Sequence, residues 1–573
     1  MAGAPSRLAH AFIAISLGLL AVVVLVATSR DIGLTWDEPI YMVAAESYSG
    51  WVQELVTRPS YALGEQAIAE AWNINHEHPD IDKLWAGLVW SSARQFTDDV
   101  TAHRLGNMLL SGLLVALAYL MVAPDRGRIA GVAAGVSLLA MPRVFFHAHL
   151  ASQDVPAAVG IAAVTYLFWV SRYRRGLGWT VLLGLVFGLA IGINIHPLFE
   201  LPLILGLWTL AAARRPYLVV RLVAMGAIGL VVWIALWPWL YEDTLRRLLD
   251  YVTFYLFNHQ QISQWYLHRN YLPPPWHYPF VMTVAVVPLT ISILAVIGVL
   301  GPLRSGRVQL TCLVQAGWAR PGRSPARAQA QTGPGQPGRQ RSPEPGLYHL
   351  RLLLVIGALI PIVTLVIGRS MIFDGERLWM PTFFFIAVLA GLGFATVFDF
   401  AHVMARRFSP SVPSSLVALA LAAIVLAPQA IQSVGLYPHL LSYYSETIGG
   451  LRGANRLGLE TTYWAETYAD TLDYLNANAP TGSLIWVEAH DVMLYYQRLG
   501  LLRPDLRIAS VRGDEGIVPG TIGHRASIDE ADFAVIEARQ SGYSVAVRNW
   551  TATRQPVYER KYDNTILVAI YRR

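Results

Sequence analysis

Runs of apolar residues dominate the chain, separated by short polar loops. Eleven such runs lie near 8–28, 104–123, 129–147, 152–170, 179–195, 198–213, 217–240, 277–302, 349–368, 379–400 and 413–433. A helix needs about 20 apolar residues to cross a bilayer, and some of these runs are shorter, so their ends are less sharply marked than their existence. The first run follows Arg7 as a signal peptide would, but it is span-length and lacks a small-residue cleavage site before Asp31, so it is read as a retained helix. The pattern predicts an all-α polytopic membrane domain of about 11 transmembrane helices over residues 1–434.

Three stretches break the pattern. Residues 29–103 form a long loop with helical periodicity around 40–56 and 80–95, and its Trp51, Trp72, Trp85 and Trp90 suit a membrane interface. Residues 304–346 are rich in Pro, Gly, Arg and Ser and read as a disordered loop. Residues 435–573 mix helical patterns (464–478, 490–499) with strand patterns (483–489, 531–537, 565–571), which predicts a small C-terminal α/β domain.

Composition supports lipid as the solvent. The chain is 54% hydrophobic and 14% charged, against about 25% charged in soluble domains. The net charge of +6 matters through its placement. With a cytoplasmic N-terminus, alternate loops collect Arg126 and Arg128, Arg172, Arg174 and Arg175, Arg214 and Arg215, the 304–346 stretch, and Arg406 and Arg407. The opposite loops hold Asp37, Glu38, Asp154, Glu242, Asp243, Asp374 and Glu376. This obeys the positive-inside rule, and it puts loop 29–103 and tail 435–573 outside the cytoplasm. The basic residues are therefore topology signals, and nucleic acid is not an expected partner. One cysteine, Cys312, excludes a disulfide framework within the chain. No Walker loop, Gly-rich dinucleotide turn or internal repeat is present, so ATP-driven transport has no motif behind it.

The candidate chemistry lies at one mouth of the helices. Asp37 and Glu38, in Thr35-Trp36-Asp37-Glu38-Pro39, follow the first span directly. Acids near lipid are costly and commonly functional, although a helix start before Pro39 would also favour them. Asp154 sits at the same mouth two residues before Pro156, where a capping role would suffice. Glu77, His78 and Asp80 are close enough in sequence to suggest a divalent metal, but His78-Pro79 rules out the helical spacing of a metalloprotease site, and a structural turn is the simpler reading. Arg104, His196 and Arg377 are cations at the same mouth; singly each is explained by snorkelling or an ion pair, together they form a belt.

The order of these motifs resembles a known family. TWDEPIY at 35–41, EHPDIDKL at 77–84, HRLGN at 103–107, SQDVPAA at 152–158, PPPWHYPF at 273–280, FDGERLWMP at 373–381 and YYSETIGGLRGANRLGLETTYW at 443–464 resemble the GT-C glycosyltransferases. Within them the chain is similar to the polyprenyl- or dolichol-phosphate-dependent group of protein O-mannosyltransferases and aminoarabinose transferases. The resemblance implies an inverting transfer of sugar from a polyprenyl-phosphate carrier to an extracytoplasmic protein, lipid or glycan, in a bacterial inner membrane with the site on the periplasmic side. It implies that Asp37 is the catalytic base, with Glu38 beside it and Asp154 as a second acid, and that Arg104, Arg377 and His196 serve the donor phosphate. It leaves room for a divalent metal held by His196 with Glu77 or Asp80. The alternative is a polytopic transporter or lipid flippase, which would use midplane charges and broken helices. Reporter fusions are expected to place the N-terminus and 304–346 in the cytoplasm and 435–573 on the opposite side; a cytoplasmic tail would overturn the arrangement.

Overall fold

The computed structural model describes residues 7–213, 215–255, 262–301, 345–367, 372–513 and 517–573. Cys312 and the 304–346 loop, up to residue 344, lie outside the described residues. The protein is a multi-pass helical membrane protein that carries a small sheet at its C-terminal end.

Within the described residues, all eleven apolar runs are mainly helical. Among the described residues, seven helices are long and apolar enough to span: α1 (Arg7–Thr28), α4 (Asp99–Arg126), α7 (Asp154–Ser171), α10 (Pro216–Leu236), α13 (Pro345–Ile367), α14 (Pro381–Phe408) and α15 (Ser414–Leu436). Between these lie α2 (Glu38–Thr57), α3 (Ile81–Ala93) and the shorter α5 (Arg128–Leu139), α6 (Pro142–His147), α8 (Leu177–Ile191) and α9 (His196–Trp208). The run 277–302 is two helices, α11 (Tyr278–Val286) and α12 (Leu289–Leu300), bent by 113°. Pro288 lacks an N–H and forces Val287 into an extended conformation, so the helix cannot continue through it.

Lipid contact and burial divide these helices. Only 11% of the α15 window and 22% of the α1 window are buried, against 72% for α4 and 78% for α7. Phe12, Ile15, Leu19 and Val23 face outward along α1, as Leu419 and Ile424 do along α15. Where helices meet, small residues let their backbones approach, because lipid offers no hydrophobic drive between helices. A Cβ on Gly298 of α12 would lie 1.9 Å from the Leu389 carbonyl oxygen of α14, and one on Gly393 would lie 1.9 Å from that of Leu294.

The loop 29–103 is largely helical, as its periodicity predicts, but two of its tryptophans are core residues. Trp72 stacks on Tyr48 at 4.3 Å, and Trp51 meets Trp72 edge-on at 5.2 Å; all three are buried. The interface reading of Trp51 and Trp72 is corrected accordingly.

A hairpin, β1 (Gln264–Tyr266) with β2 (Arg269–Tyr271), precedes α11. After α15 come α16 (Leu472–Asn478), β3 (Leu484–Trp486), α17 (His490–Arg498), β4 (Arg507–Ser510), β5 (His524–Arg525), β6 (Phe533–Glu537), α18 (Val545–Thr553), β7 (Pro556–Tyr562) and β8 (Thr565–Arg572). The sheet order is β5-β4-β3-β6-β8-β7, parallel from β5 to β6 and antiparallel beyond. β4, β5 and β7 carry no strand signal in the sequence reading: β5 is two residues long, and β7 sets Glu559, Arg560 and Lys561 in succession along a sheet edge. The core beneath the sheet is shared, since Leu34, Met42 and Ala151 pack with Tyr468, Leu472, Ile485 and Tyr496.

His439, on the connection from α15, is clamped by two carboxylates, Nδ1 to Glu466 Oε2 at 2.9 Å and Nε2 to Asp470 Oδ2 at 2.8 Å. Burial alone would lower its pKa, but Glu466 and Asp470 outweigh burial and raise it to about 10. The stabilisation is fully present below the ordinary histidine value of about 6.5 and is lost as pH rises through the folded value. His439→Gln is therefore expected to lower the melting temperature of the detergent-solubilised protein at pH 7, with the gap to wild type closing as the pH rises toward about 10; a gap independent of pH would contradict the charge-based account.

Candidate active site

Two adjacent acids at the head of α2 point to different partners. Glu38 turns inward to Arg104 of α4, and both side chains are fully buried. Arg104 Nε and Nη2 donate to Glu38 Oε1 and Oε2 at 2.8 and 2.7 Å. Its remaining donors reach three carbonyls: Nη1 to Ser29 and Ile32 at 3.0 and 2.9 Å, and Nη2 to Gly33 at 2.8 Å. Glu38 also accepts from the backbone N–H of Ala151 at 2.9 Å and of Thr35 at 2.9 Å. Burial opposes its ionisation, but the Arg104 charge and these hydrogen bonds hold its pKa below the usual carboxylate value. All five N–H groups of Arg104 are occupied. The expectation that Arg104 binds a donor phosphate is corrected: it has no donor left, and it holds the loop after α1 against α4. Glu38 has the same positioning role.

Asp37 turns the other way. It occupies the cap position of α2 yet makes no capping hydrogen bond. Its side chain, 25% exposed, accepts from Arg377 Nη1 at 2.6 Å. The guanidinium lies between the rings of Trp464 at 4.4 Å and Phe373 at 5.1 Å, and its buried Nε has no hydrogen-bond partner. Asp154, at the head of α7, is buried; Ser152 Oγ donates to its Oδ2 at 3.4 Å, and His147 Nδ1 stands 3.9 Å away. Asp154 is among the charges that hold the Arg377 pKa above its ordinary value, behind Asp37.

The segment Phe373-Asp374-Gly375-Glu376-Arg377 organises the surroundings. Asp374 and Gly375 adopt positive φ of 51° and 66°, a turn that suits glycine. It sends three successive charges to three places: Asp374 to Arg539 at 2.7 Å, Glu376 to Arg143 at 2.6 Å, and Arg377 to Asp37. His147, fully buried and with neither nitrogen hydrogen-bonded, sits 3.9 Å from Glu376 as well as from Asp154. Arg539 comes from the tail after β6 and lies over the Trp36 ring at 5.2 Å, so the tail closes one side of the site. Arg143 and Arg539 are absent from the sequence reading, and Glu376 enters it as an acid of the outer loops but not as a site residue. Arg143 carried a signal: it is an ionisable residue within the apolar run 129–147.

The other candidates lie further out. His196 Nδ1 faces Glu200 of its own helix at 3.6 Å. It connects to the site through Asn194, whose side chain accepts from the His196 N–H and donates to Gln153, which in turn donates to Tyr41. Glu77, His78 and Asp80 do not converge on one point. Glu77 accepts from Asn75, His78 Nδ1 meets the Tyr255 hydroxyl at 2.6 Å, and Asp80 is buried beside Lys83 with its pKa pushed up by burial. The metal reading of those three is corrected. A group that could hold a metal among the described residues is instead Glu46, Asp99 and His103.

No family model and no curated protein matches the sequence. Among solved structures, the chain is similar to ArnT from Cupriavidus metallidurans in the apo state, with 16% identity, a TM-score of 0.49 and 97% of each chain covered. The same protein bound to undecaprenyl phosphate gives a TM-score of 0.47 at 16% identity, again over 97% of each chain. The oligosaccharyltransferase AglB from Archaeoglobus fulgidus, in complex with an inhibitory peptide and a dolichol-phosphate, gives 0.43 at 11% identity over 85% of this chain and 60% of that one.

Removing one partner of a buried ion pair strands the other charge, at a cost of about 3–5 kcal/mol. Glu38→Gln is therefore expected to destabilise the detergent-solubilised protein by about that amount in thermal unfolding, while Asp37→Asn, a quarter exposed to water, is expected to change stability by about 1 kcal/mol or less. Equal costs for the two would refute the division of labour between them.

Proposed function

We propose that the protein is a membrane glycosyltransferase that moves a sugar from a polyprenyl-phosphate carrier to an acceptor, with inversion. The observation that carries this reading is the Asp37–Arg377 pair: a partly exposed carboxylate on a buried guanidinium that still has an unpaired donor, beside the second acid Asp154. The pair lies where α1 ends and α2 and α7 begin, so a lipid-borne phosphate can arrive from the bilayer and an acceptor from water. The reading places this end of the bundle on the periplasmic side of a bacterial inner membrane and treats residues 435–573 as a separate α/β unit over the site.

In this mechanism the phosphate of the donor engages Arg377 through its free N–H groups, a charge-assisted contact suited to a departing phosphate. The acceptor hydroxyl or amine attacks the anomeric carbon from the face opposite the phosphate. The new bond forms as the carbon–oxygen bond to phosphate breaks, and Asp37 takes the acceptor proton. Arriving phosphate competes with Asp37 for Arg377 and so frees the carboxylate for the acceptor. Asp154 adds a second negative charge near the guanidinium, with His147 3.9 Å behind it. His196, reached through Asn194, stands at the edge of the donor site rather than in it. The transporter alternative draws on Glu200, which is buried in α9 with neither carboxylate oxygen hydrogen-bonded; the charges at the bundle mouth are more numerous and mutually arranged.

The test is transfer from a labelled polyprenyl-phosphate sugar at matched membrane expression. A positioned general base contributes about 10²–10⁴-fold in rate. Asp37→Asn is expected to lose that much turnover with donor binding largely kept, and Arg377→Met is expected to weaken donor binding. Near wild-type turnover for Asp37→Asn would move the base to Asp154, and absence of any transfer by the wild-type protein would favour the transporter.

A further inference from the structure

Asp99 and His103 stand four residues apart on α4 and so share one face of the helix. Glu46, on α2, faces them. One ligand atom from each of the three residues lies within 4.8 Å of the others. His103 Nε2 is 3.3 Å from Glu46 Oε1 and 3.9 Å from Asp99 Oδ1. The His103 side chain is fully buried, and neither of its nitrogens has a hydrogen-bond partner. A buried imidazole without a partner carries a desolvation cost that calls for an explanation.

The surroundings orient all three groups. The Trp90 ring stacks on His103 at 4.8 Å and 15°, which fixes the imidazole plane. Trp90 Nε1 and the Tyr495 hydroxyl each donate to one oxygen of Asp99 at 2.9 Å. Arg498 Nη2 donates to both oxygens of Glu46, at 2.7 and 2.9 Å. Groups behind a set of ligands that hold them in place are what a metal site needs. The two carboxylates remain partly open to solvent, at 21% and 30% exposure, which leaves a way in for an ion and for a water ligand.

We propose that Glu46, Asp99 and His103 form a divalent metal site of the zinc type. One imidazole nitrogen with two carboxylate oxygens is a donor set for zinc, whereas calcium and magnesium take oxygen ligands. The ion neutralises two acids that have one arginine between them, and it gives the buried His103, whose Nε2 only approaches Glu46 and Asp99 at 3.3 and 3.9 Å, a directed ligand bond. Its position defines its role. It joins α2 to α4 beside the Glu38–Arg104 pair, with His103 next to Arg104 on α4 and Glu46 further along α2 than Glu38, and through Tyr495 and Arg498 it joins both to α17 of the tail. It is a structural tie, independent of sugar transfer.

The full chain in detergent, stripped with a chelator, is titrated with Zn²⁺ alone by calorimetry, and bound metal is counted by elemental analysis. One tight equivalent per chain and a raised melting temperature on adding Zn²⁺ are expected. Loss of an orienting group alone lowers metal affinity by about 10–100-fold, so His103→Gln and Glu46→Gln, which remove ligands, are expected to weaken binding by about 100-fold or more. Glu46→Gln keeps an acceptor for Arg498 and reads the result if His103→Gln does not fold. His76→Gln, exposed and away from the cluster, is expected to bind as wild type does. No stoichiometric equivalent in the wild-type protein, or wild-type affinity in the ligand variants, overturns the site.

Discussion

The buried pair of Glu38 and Arg104 is the constraint on which the mouth of the bundle depends. The chain must turn sharply after α1, and the turn exposes carbonyls of Ser29, Ile32 and Gly33 at a depth where water does not reach. A buried carbonyl without a partner is costly. Arg104 satisfies all three, and Glu38 balances its charge while accepting from Thr35 and Ala151. One ion pair thereby fixes the end of α1, the start of α2, the upper part of α4 and the entrance to α7.

That rigidity gives Asp37 its direction. With Glu38 locked inward, the preceding residue must project from the other side of the first turn of α2, toward Arg377. The two arginines of the mouth differ in how many donors remain free, and this separates their roles. Arg104 has every N–H occupied and can only hold structure. Arg377 has one strong contact, two flanking aromatic rings and an unpaired Nε, and the proposed phosphate contact draws on that difference. The left-handed turn at Asp374 and Gly375 serves the same end, because it sends Asp374 and Glu376 away to Arg539 and Arg143 and leaves Arg377 facing Asp37.

The tail is part of this architecture. Its helix α17 supplies Tyr496, whose hydroxyl accepts from the Leu34 N–H at 2.8 Å, and the Trp36 N–H donates to the Trp464 carbonyl at 2.8 Å. Gly33 lies against the Glu466 carbonyl so closely that a Cβ there would stand 2.0 Å from the oxygen. The loop that carries the candidate base is thus held between the membrane helices and the sheet. Arg539 and Arg498 extend that hold to Asp374 and Glu46.

The sequence by itself determined the order of the apolar runs, the mixed α/β character of the tail and the mouth at which the charges gather. Each of these follows from local periodicity and hydropathy, which act along the chain. It also marked Asp37, Asp154 and Arg377, because an ionisable residue beside an apolar run stands out wherever it pairs. The tertiary structure alone decided which charge meets which. Glu38 and Arg104 are 66 residues apart, Arg143 and Glu376 233, and Asp37 and Arg377 340, and nothing local distinguishes an arginine with all its donors in use from one with a donor to spare. The same holds for Trp51 and Trp72, which hydropathy assigns to an interface and packing assigns to the core, and for His103, whose burial and missing partner depend on helices that the chain brings together only when folded.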